Sequence, residues 1–270
     1  MKYAEIKDWT DTDFKRLTGV LPSTFTKMLA VLEKELRSFG RPPKLSRADQ
    51  LLMTLMYWRE YRTQFHIAGS YGVSEATVSR TIKKVENALI RSEEFHLPGK
   101  KVLKSNDLEI EVLLVDVSEQ AIERPKKKQR RYYSGKKKRH TQKAQVVIEK
   151  EGMKIIGTAF AKGHTHDFRL FKESKLNIDE GIHCLADSGY QGLTKLHPNS
   201  KTPYKKSKYH PLTLEQKQEN RQISSQRIYV EHVIGKLKVF RILSERYRNR
   251  RKRFALRFNL IAAIYNLEIT

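Results

Sequence analysis

The chain has 270 residues, 54 of them Lys or Arg and 30 Asp or Glu, a formal net charge of +24, so its folded surface attracts polyanions, with nucleic acid foremost. The 39% apolar content can fill one large core or two smaller ones, while a lone Cys184 and the lack of paired Cys and His spacings exclude a disulfide framework and a structural zinc site, leaving oxygen ligands for any catalytic metal. No apolar run reaches the roughly 18–20 residues that span a bilayer, and MKYAEIKDWTDTDF has no signal-peptide core, so the expectation is a cytoplasmic protein with no membrane partner.

From Thr10 to about Arg91 the apolar residues recur at helical spacing. Ser46 is a good N-cap ahead of Leu51, Leu52, Leu55 and Trp58, and Ser74 is another ahead of Val78, Ile82, Val85 and Leu89. FGRPPKLS, Phe39 to Ser46, breaks the first helices from the next because its prolines cannot sit inside a helix. FHIAGSYGVSEATVSRTIKKV has the form of a helix-turn-helix: Ala68 lets two helices cross, Gly72 can take the positive φ of the turn, and Val78 plugs the angle. The second helix buries Val78, Ile82 and Val85 and exposes Glu75, Thr77, Ser79, Arg80, Lys83 and Lys84, groups able to reach base edges and phosphates. A helical hairpin with a merely solvated charged face is the alternative.

Residues 1–92 thus read as a helical DNA-binding domain, 93–106 (with EFHLPGKKVLKSN) as a linker, and 107–270 as an α/β domain. In the last, LEIEVLLVDV, TQKAQVVIEK, MKIIGTAFAKG and GIHCLAD have the short apolar or alternating runs of strands. Helical periodicity returns at His166 to Lys175 and from Leu214 onward. Between the first two strands, eleven of the twenty-one residues from Glu123 to Lys143 are Lys or Arg. Ser134 and Gly135 read as a hairpin turn between the halves of this block. Its cations, Lys126, Lys127, Lys128, Arg130, Arg131, Lys136, Lys137, Lys138 and Arg139, are candidate DNA contacts, and Tyr132 and Tyr133 could stack on an unpaired base. A disordered basic tract or an address signal is the alternative. YRNRRKRF, with Arg250 and Arg251, is a second basic cluster suited to flanking DNA.

Three carboxylates stand out. Asp116 lies in a run apolar on both faces, which implies a central strand, where an unpaired carboxylate is costly and needs a cation. Asp187 ends a second apolar run where Gly189 and Gly192 allow a turn, a strand end at which open α/β sheets build sites. In RIYVEHVIGKLKVF, at 100° per residue from Arg227, Glu231 falls at about 40° and Lys238 at about 20°, beside a buried stripe of Val230, Val233, Ile234 and Leu237. Gly235, at about 80°, leaves room for a bulky ligand. Glu119 should face the other side of its strand, Asp167 reads as a helix cap, and His164 and His166 as turn residues, since magnesium does not favour imidazole.

Taken together these stretches resemble the DDE transposases of bacterial insertion sequences, specifically the insertion-sequence five family. The resemblance runs through the helix-turn-helix, the basic block beside Asp116, GHTHDFRLFKES, ADSGYQG and RIYVEHVIGKLKVF. In that family the catalytic Glu lies four residues after an Arg and seven before a Lys, spacings that Arg227, Glu231 and Lys238 keep. Where the family often has a Tyr three residues before the Arg, this chain has Ser224. The resemblance implies a ribonuclease H-like mixed sheet flanked by helices and an Asp116, Asp187, Glu231 site holding two Mg²⁺, with Mn²⁺ as substitute. It further implies strand cleavage at the ends of a mobile element and attack of the freed 3′-hydroxyl on target DNA. Arg227 and Lys238 would hold phosphates, in a nucleoid-associated protein acting as a dimer on DNA. A silent relative serving as a DNA-binding regulator, and a stand-alone nuclease, are the competing functions.

Overall fold

A computed structural model describes residues 1–36, 43–105, 109–207, 211–249 and 251–269. Parts of several sequence expectations lie outside them: 39–42 of the proline break, Asn106 at the linker's end, 107, 108 and 270 of the α/β domain, with Leu108 the start of LEIEVLLVDV, and Arg250. The chain forms two compact units, one of Met1–His96 with Leu237–Glu268, the other of Leu97–Lys236 with Ile269.

The first unit opens with α1 (Asp11–Thr18), α2 (Pro22–Glu35), α3 (Arg47–Glu60), α4 (Gln64–Tyr71) and α5 (Glu75–Arg91). Ser46 and Ser74 cap α3 and α5 by accepting the N–H of Asp49 and Thr77, satisfying donors that the first turn leaves free. Every residue of α3 from Asp49 to Trp58 is buried, which makes it the central helix of its unit. Gly72 ends α4 at φ +62°, and Val78, Ile82 and Val85 of α5 are buried, as the helix-turn-helix pattern requires.

The expected linker is part of the packing. Phe95 and Leu103 are buried, Leu103 within α6 (Val102–Ser105) and in the core of the second unit. That unit then carries β1 (Val112–Ala121), β2 (Tyr133–Ser134), β3 (Arg139–Glu149), β4 (Ile155–Lys162), α7 (Asp167–Ser174), β5 (His183–Ala186), β6 (Ser200–Lys201) and all but the last two residues of α8 (Leu214–Lys238). The sheet order is β2-β3-β1-β5-β6, with β4 paired to β3. β1 runs antiparallel to β3 and parallel to β5. This is the mixed sheet flanked by helices that the resemblance implies. Leu113, Val115 and Val117 of β1 join Phe171 of α7 in one core cluster. Asp116, of opposite parity on the strand, therefore faces away from α7.

The helical periodicity read from Leu214 onward is interrupted between Lys238 and α9 (Phe254–Ile269). The sequence division placed α9 with the strands. Its buried residues Phe258, Leu260, Ile261 and Ile264 belong instead to the unit of the N-terminal helices. At the centre of that junction Glu86 is wholly buried, its Oε1 2.6 Å from Arg257 Nε and its Oε2 2.6 Å from Arg253 Nη1, while Trp58 Nε1 donates to Oε1 at 3.3 Å. Burial disfavours the Arg257 charge, but Glu86 and the flanking tyrosines more than offset it and its pKa rises. Among the described residues no helix is long and apolar enough to cross a membrane.

Removing one side of this buried triad leaves uncompensated charge. Glu86→Ala is expected to cost about 3–5 kcal/mol. Both tryptophans of the chain, Trp9 and Trp58, lie in this unit, so urea unfolding followed by tryptophan fluorescence reads the loss directly, with exposed Glu94→Ala as the unchanged control.

Candidate active site

Asp116 sits on the central strand, and the parallel pairing sets its neighbour. Val115 pairs with Ala186, so Asp116 and Asp187 are the next residues on adjacent strands, whose backbones run about 4.8 Å apart. Asp187 follows the last residue of β5 and caps a single 3-10 turn, Ser188–Tyr190, its Oδ1 accepting the Gly189 N–H at 2.6 Å.

Helix α8 supplies the second side. Arg227 Nη2 lies 3.4 Å from Asp116 Oδ1, with the two side chains 13% and 19% exposed. That separation is longer than the 2.7–2.9 Å typical of a tight charged hydrogen bond. Arg227 Nε is buried with no hydrogen-bond partner among the described residues. Glu231 stands one turn further along α8 and is exposed, while Val230, Val233, Ile234 and Leu237 are buried as the stripe predicted. A Cβ at Gly235 would meet nothing within 4 Å. Lys238, the last residue of α8, is assigned to the other unit.

The electrostatics tie the three carboxylates together. Burial pushes the Asp116 carboxyl up to about 6. Arg227 and the Val117 N–H favour its ionised form, whereas Asp187 and Glu231, each close enough to be felt, oppose it. Among the described residues no three His, Cys, Asp or Glu side chains stand close enough together to hold a metal ion. The arrangement is thus a convergence of negative charge on a buried carboxylate, partly offset by one guanidinium.

Sequence reasoning missed a fourth carboxylate. Asp167 is the first residue of α7, but its carboxylate does not cap that helix. It accepts from Lys143 Nζ at 2.7 Å, and the same ammonium donates to Thr165 O at 2.8 Å. A Cβ built at Gly189 would lie 2.7 Å from Asp187 Oδ1 and 3.3 Å from Asp167 Oδ2, so the two aspartates flank this glycine. Tyr190, buried beneath them, has its pKa raised first by burial and then by Asp167, Asp116 and Asp187. A basic residue in β3 was the available signal, but only the strand pairing of Lys143 with Glu119 puts it beside α7. His166 occupies the N-cap position of α7 without a side-chain cap bond.

The basic block forms the expected hairpin, with Tyr133 and Ser134 pairing with His140 and Arg139. Lys126, Lys127, Lys128, Arg130, Arg131, Lys136, Lys137, Lys138 and Arg139 are all exposed. Tyr133 is 42% exposed and edge-on to His140, while Tyr132 lies under Lys162. In the first unit Arg80, Lys83 and Lys84 are exposed on α5, and burial with repulsion from Arg47 lowers the Lys84 pKa. Arg251 is exposed between α8 and α9.

Asp116 on the central strand and Asp187 just past its neighbour thus share a site with a helix that carries Arg and Glu, on a chain that also folds a helix-turn-helix, and its class follows from what the chain is similar to. Residues 115–266 match the family described as DDE superfamily endonuclease, and residues 43–92 match the helix-turn-helix of DDE superfamily endonuclease. Over 272 aligned residues the chain is 49% identical to the "Probable transposase for insertion sequence element IS702" of Microchaete diplosiphon, covering 100% of this chain and 99% of that protein. It is 26% identical over 236 residues to the "Putative transposase for insertion sequence element IS112" of Streptomyces albus G, covering 84% of each. No solved structure matches. The chain belongs to the DDE superfamily endonucleases, among their transposases.

Gly189 offers a test of the site's tolerance. Gly189→Ala inserts a methyl group against the Asp187 and Asp167 carboxylates, and if either carboxylate takes part in the reaction, a shift of about an ångström costs on the order of 100-fold in rate. Strand cleavage should fall by that order while binding of duplex DNA in a gel-shift titration stays unchanged.

Proposed function

We propose that Asp116, Asp187 and Glu231 are the catalytic carboxylates of a transposase that nicks DNA at the ends of its own element and joins the freed 3′-hydroxyl to a second duplex. The observation that carries this reading is the Asp116–Arg227 contact. It docks α8 against the central strand, so that Glu231, one turn along the same helix, approaches the level pair Asp116 and Asp187. Membership of the narrower insertion-sequence five group is part of the same proposal.

The donor set fits a hard divalent cation. All three groups are carboxylates, which suit Mg²⁺ or Mn²⁺, and Asp116 carries a burial penalty to which Asp187 and Glu231 add. Two such ions, when bound, would supply charge neutralisation at the scissile phosphate and acidify attacking water. The protein's own part is positional. Asp116 and Asp187 are fixed by neighbouring strands, whereas Glu231 is exposed and set by α8 alone. Arg227 has a buried Nε–H with no acceptor among the described residues, a donor suited to a phosphate oxygen. Gly235 leaves open space on the same helix for the DNA backbone, and Lys238 would extend the cationic row. The exposed hairpin cations from Lys126 to Arg139 adjoin β1 and β3 and would screen converging phosphates. Arg80, Lys83 and Lys84 of α5 would read the element ends in the major groove. Pairing of two ends would require two chains.

Each isosteric change, Asp116→Asn, Asp187→Asn or Glu231→Gln, removes one negative charge without changing side-chain size. Wild type with Mg²⁺ or Mn²⁺ should cut end DNA and join it to a target, while each variant still shifts end DNA in a gel and yields no product. Full activity in any one variant removes that residue from the site. Cleavage without joining would mark a nuclease, and specific binding by an inactive wild type would mark a regulator.

The hairpin has its own measure. Binding should weaken steeply with salt, at a log–log slope of about −0.9 per phosphate neutralised. Changing Lys126, Lys127, Lys136 and Lys137 to Gln should flatten it, and an unchanged slope would take the hairpin off the DNA.

A further inference from the structure

We infer that Asn249, Lys252 and Arg253, between α8 and α9, form with α5 a preorganised site for one backbone phosphate of the duplex whose groove α5 reads. A cavity of about 470 Å³ in the first unit is lined by Gln64, Ser79, Ile82, Lys83, Asn249, Lys252, Arg253 and Arg257. Its charged lining is entirely cationic. None of these lining residues is a carboxylate, and Glu86, wholly buried, has both oxygens committed to Arg253 and Arg257.

The walls are held in place without the ligand. Asn249 accepts from Tyr57 OH at 2.8 Å and donates to Tyr61 OH at 2.9 Å. Arg253 Nη2 donates to Asn87 Oδ1 at 2.9 Å, and Arg257 Nη1 to Tyr247 OH at 3.0 Å. Lys83 and Lys252 line the cavity and are exposed. A fixed polar floor with mobile ammonium groups suits a phosphate, because little further ordering is lost on binding.

The cavity's place on α5 identifies the phosphate's source. At 100° per residue the buried face of α5, with Val78, Ile82 and Val85, is centred about 180° from the exposed face that carries Lys83, Arg80 and Lys84. Ser79 and Lys83, which line the cavity, lie at one flank of that exposed face; Arg80 and Lys84 lie further round. A helix seated in a major groove has backbone phosphates along its flanks. The cavity is therefore where a groove wall would run. Residues made after the last proposed catalytic residue thereby complete the DNA-reading surface.

This rests on α5 being the reading helix, and the test separates the two claims. Full-length wild type, Lys252→Gln and Lys83→Gln are titrated at several salt concentrations against a duplex carrying the element end and against an arbitrary duplex of equal length. Lys252→Gln should reduce the salt slope by about one unit on both duplexes without changing the preference for the end. Single methylphosphonate substitutions along the end duplex should reveal one phosphate whose neutralisation weakens wild type but not Lys252→Gln. Retained tryptophan fluorescence excludes unfolding. An unchanged slope, or methylphosphonate losses identical to wild type at every position, overturns the phosphate site even if end preference is intact. If wild type shows no end preference while Lys252→Gln still flattens the slope on the arbitrary duplex, end reading by α5 fails and the phosphate site stands.

Discussion

A carboxylate in the middle of a central strand is the constraint around which the second unit is organised. Asp116 pairs laterally with Val146 on β3 and stands level with Asp187 beyond β5, and its side chain is mostly buried. An isolated ion in such a place is expensive. Helix α8 relieves the cost with Arg227, whose own buried Nε–H has no partner among the described residues. A core built for stability alone would place an apolar residue at each position, and binding of a cation and a phosphate at the proposed site would relieve that tension.

The same economy recurs elsewhere in the chain. Glu86, Asp116 and Asp167 are each matched to an Arg or Lys. Carboxylates are drawn inward or into pairs, while the hairpin from Lys126 to Arg139 and the polar face of α5 stay exposed and cationic. A net charge of +24 is therefore displayed where a polyanion can meet it. At physiological ionic strength a charge acts over about 8 Å, so clustering makes such a surface effective at contact range.

Much of this was legible from local patterns. The caps at Ser46 and Ser74, the turn at Gly72, the hairpin at Ser134 and the buried stripe of α8 depend on residues a few positions apart, and each stands where the pattern puts it. The level placing of Asp116 and Asp187 was half legible. Both were read as strand residues, but their register is a pairing of distant segments. What the sequence hid were long-range partnerships: Asp167 with Lys143 in place of a helix cap, Leu103 within a core in place of a linker, and α9 with the N-terminal helices. Each is decided by tertiary packing that no periodicity encodes. Asp167 is instructive, because an acidic residue at the first position of a helix is so common a cap that nothing local distinguishes this one.

The return of α9 to the N-terminal helices has a bearing on the timing of synthesis. Glu86 is made early, but its partners Arg253 and Arg257 emerge only after the whole of Leu97–Lys236. At about 5–20 residues per second, that interval is on the order of ten seconds. During it the helix-turn-helix carries a carboxylate without its cations and an apolar core without its final helix. A nascent chain still attached to the ribosome therefore holds the helix-turn-helix without the ion pairs and the last helix that complete its packing.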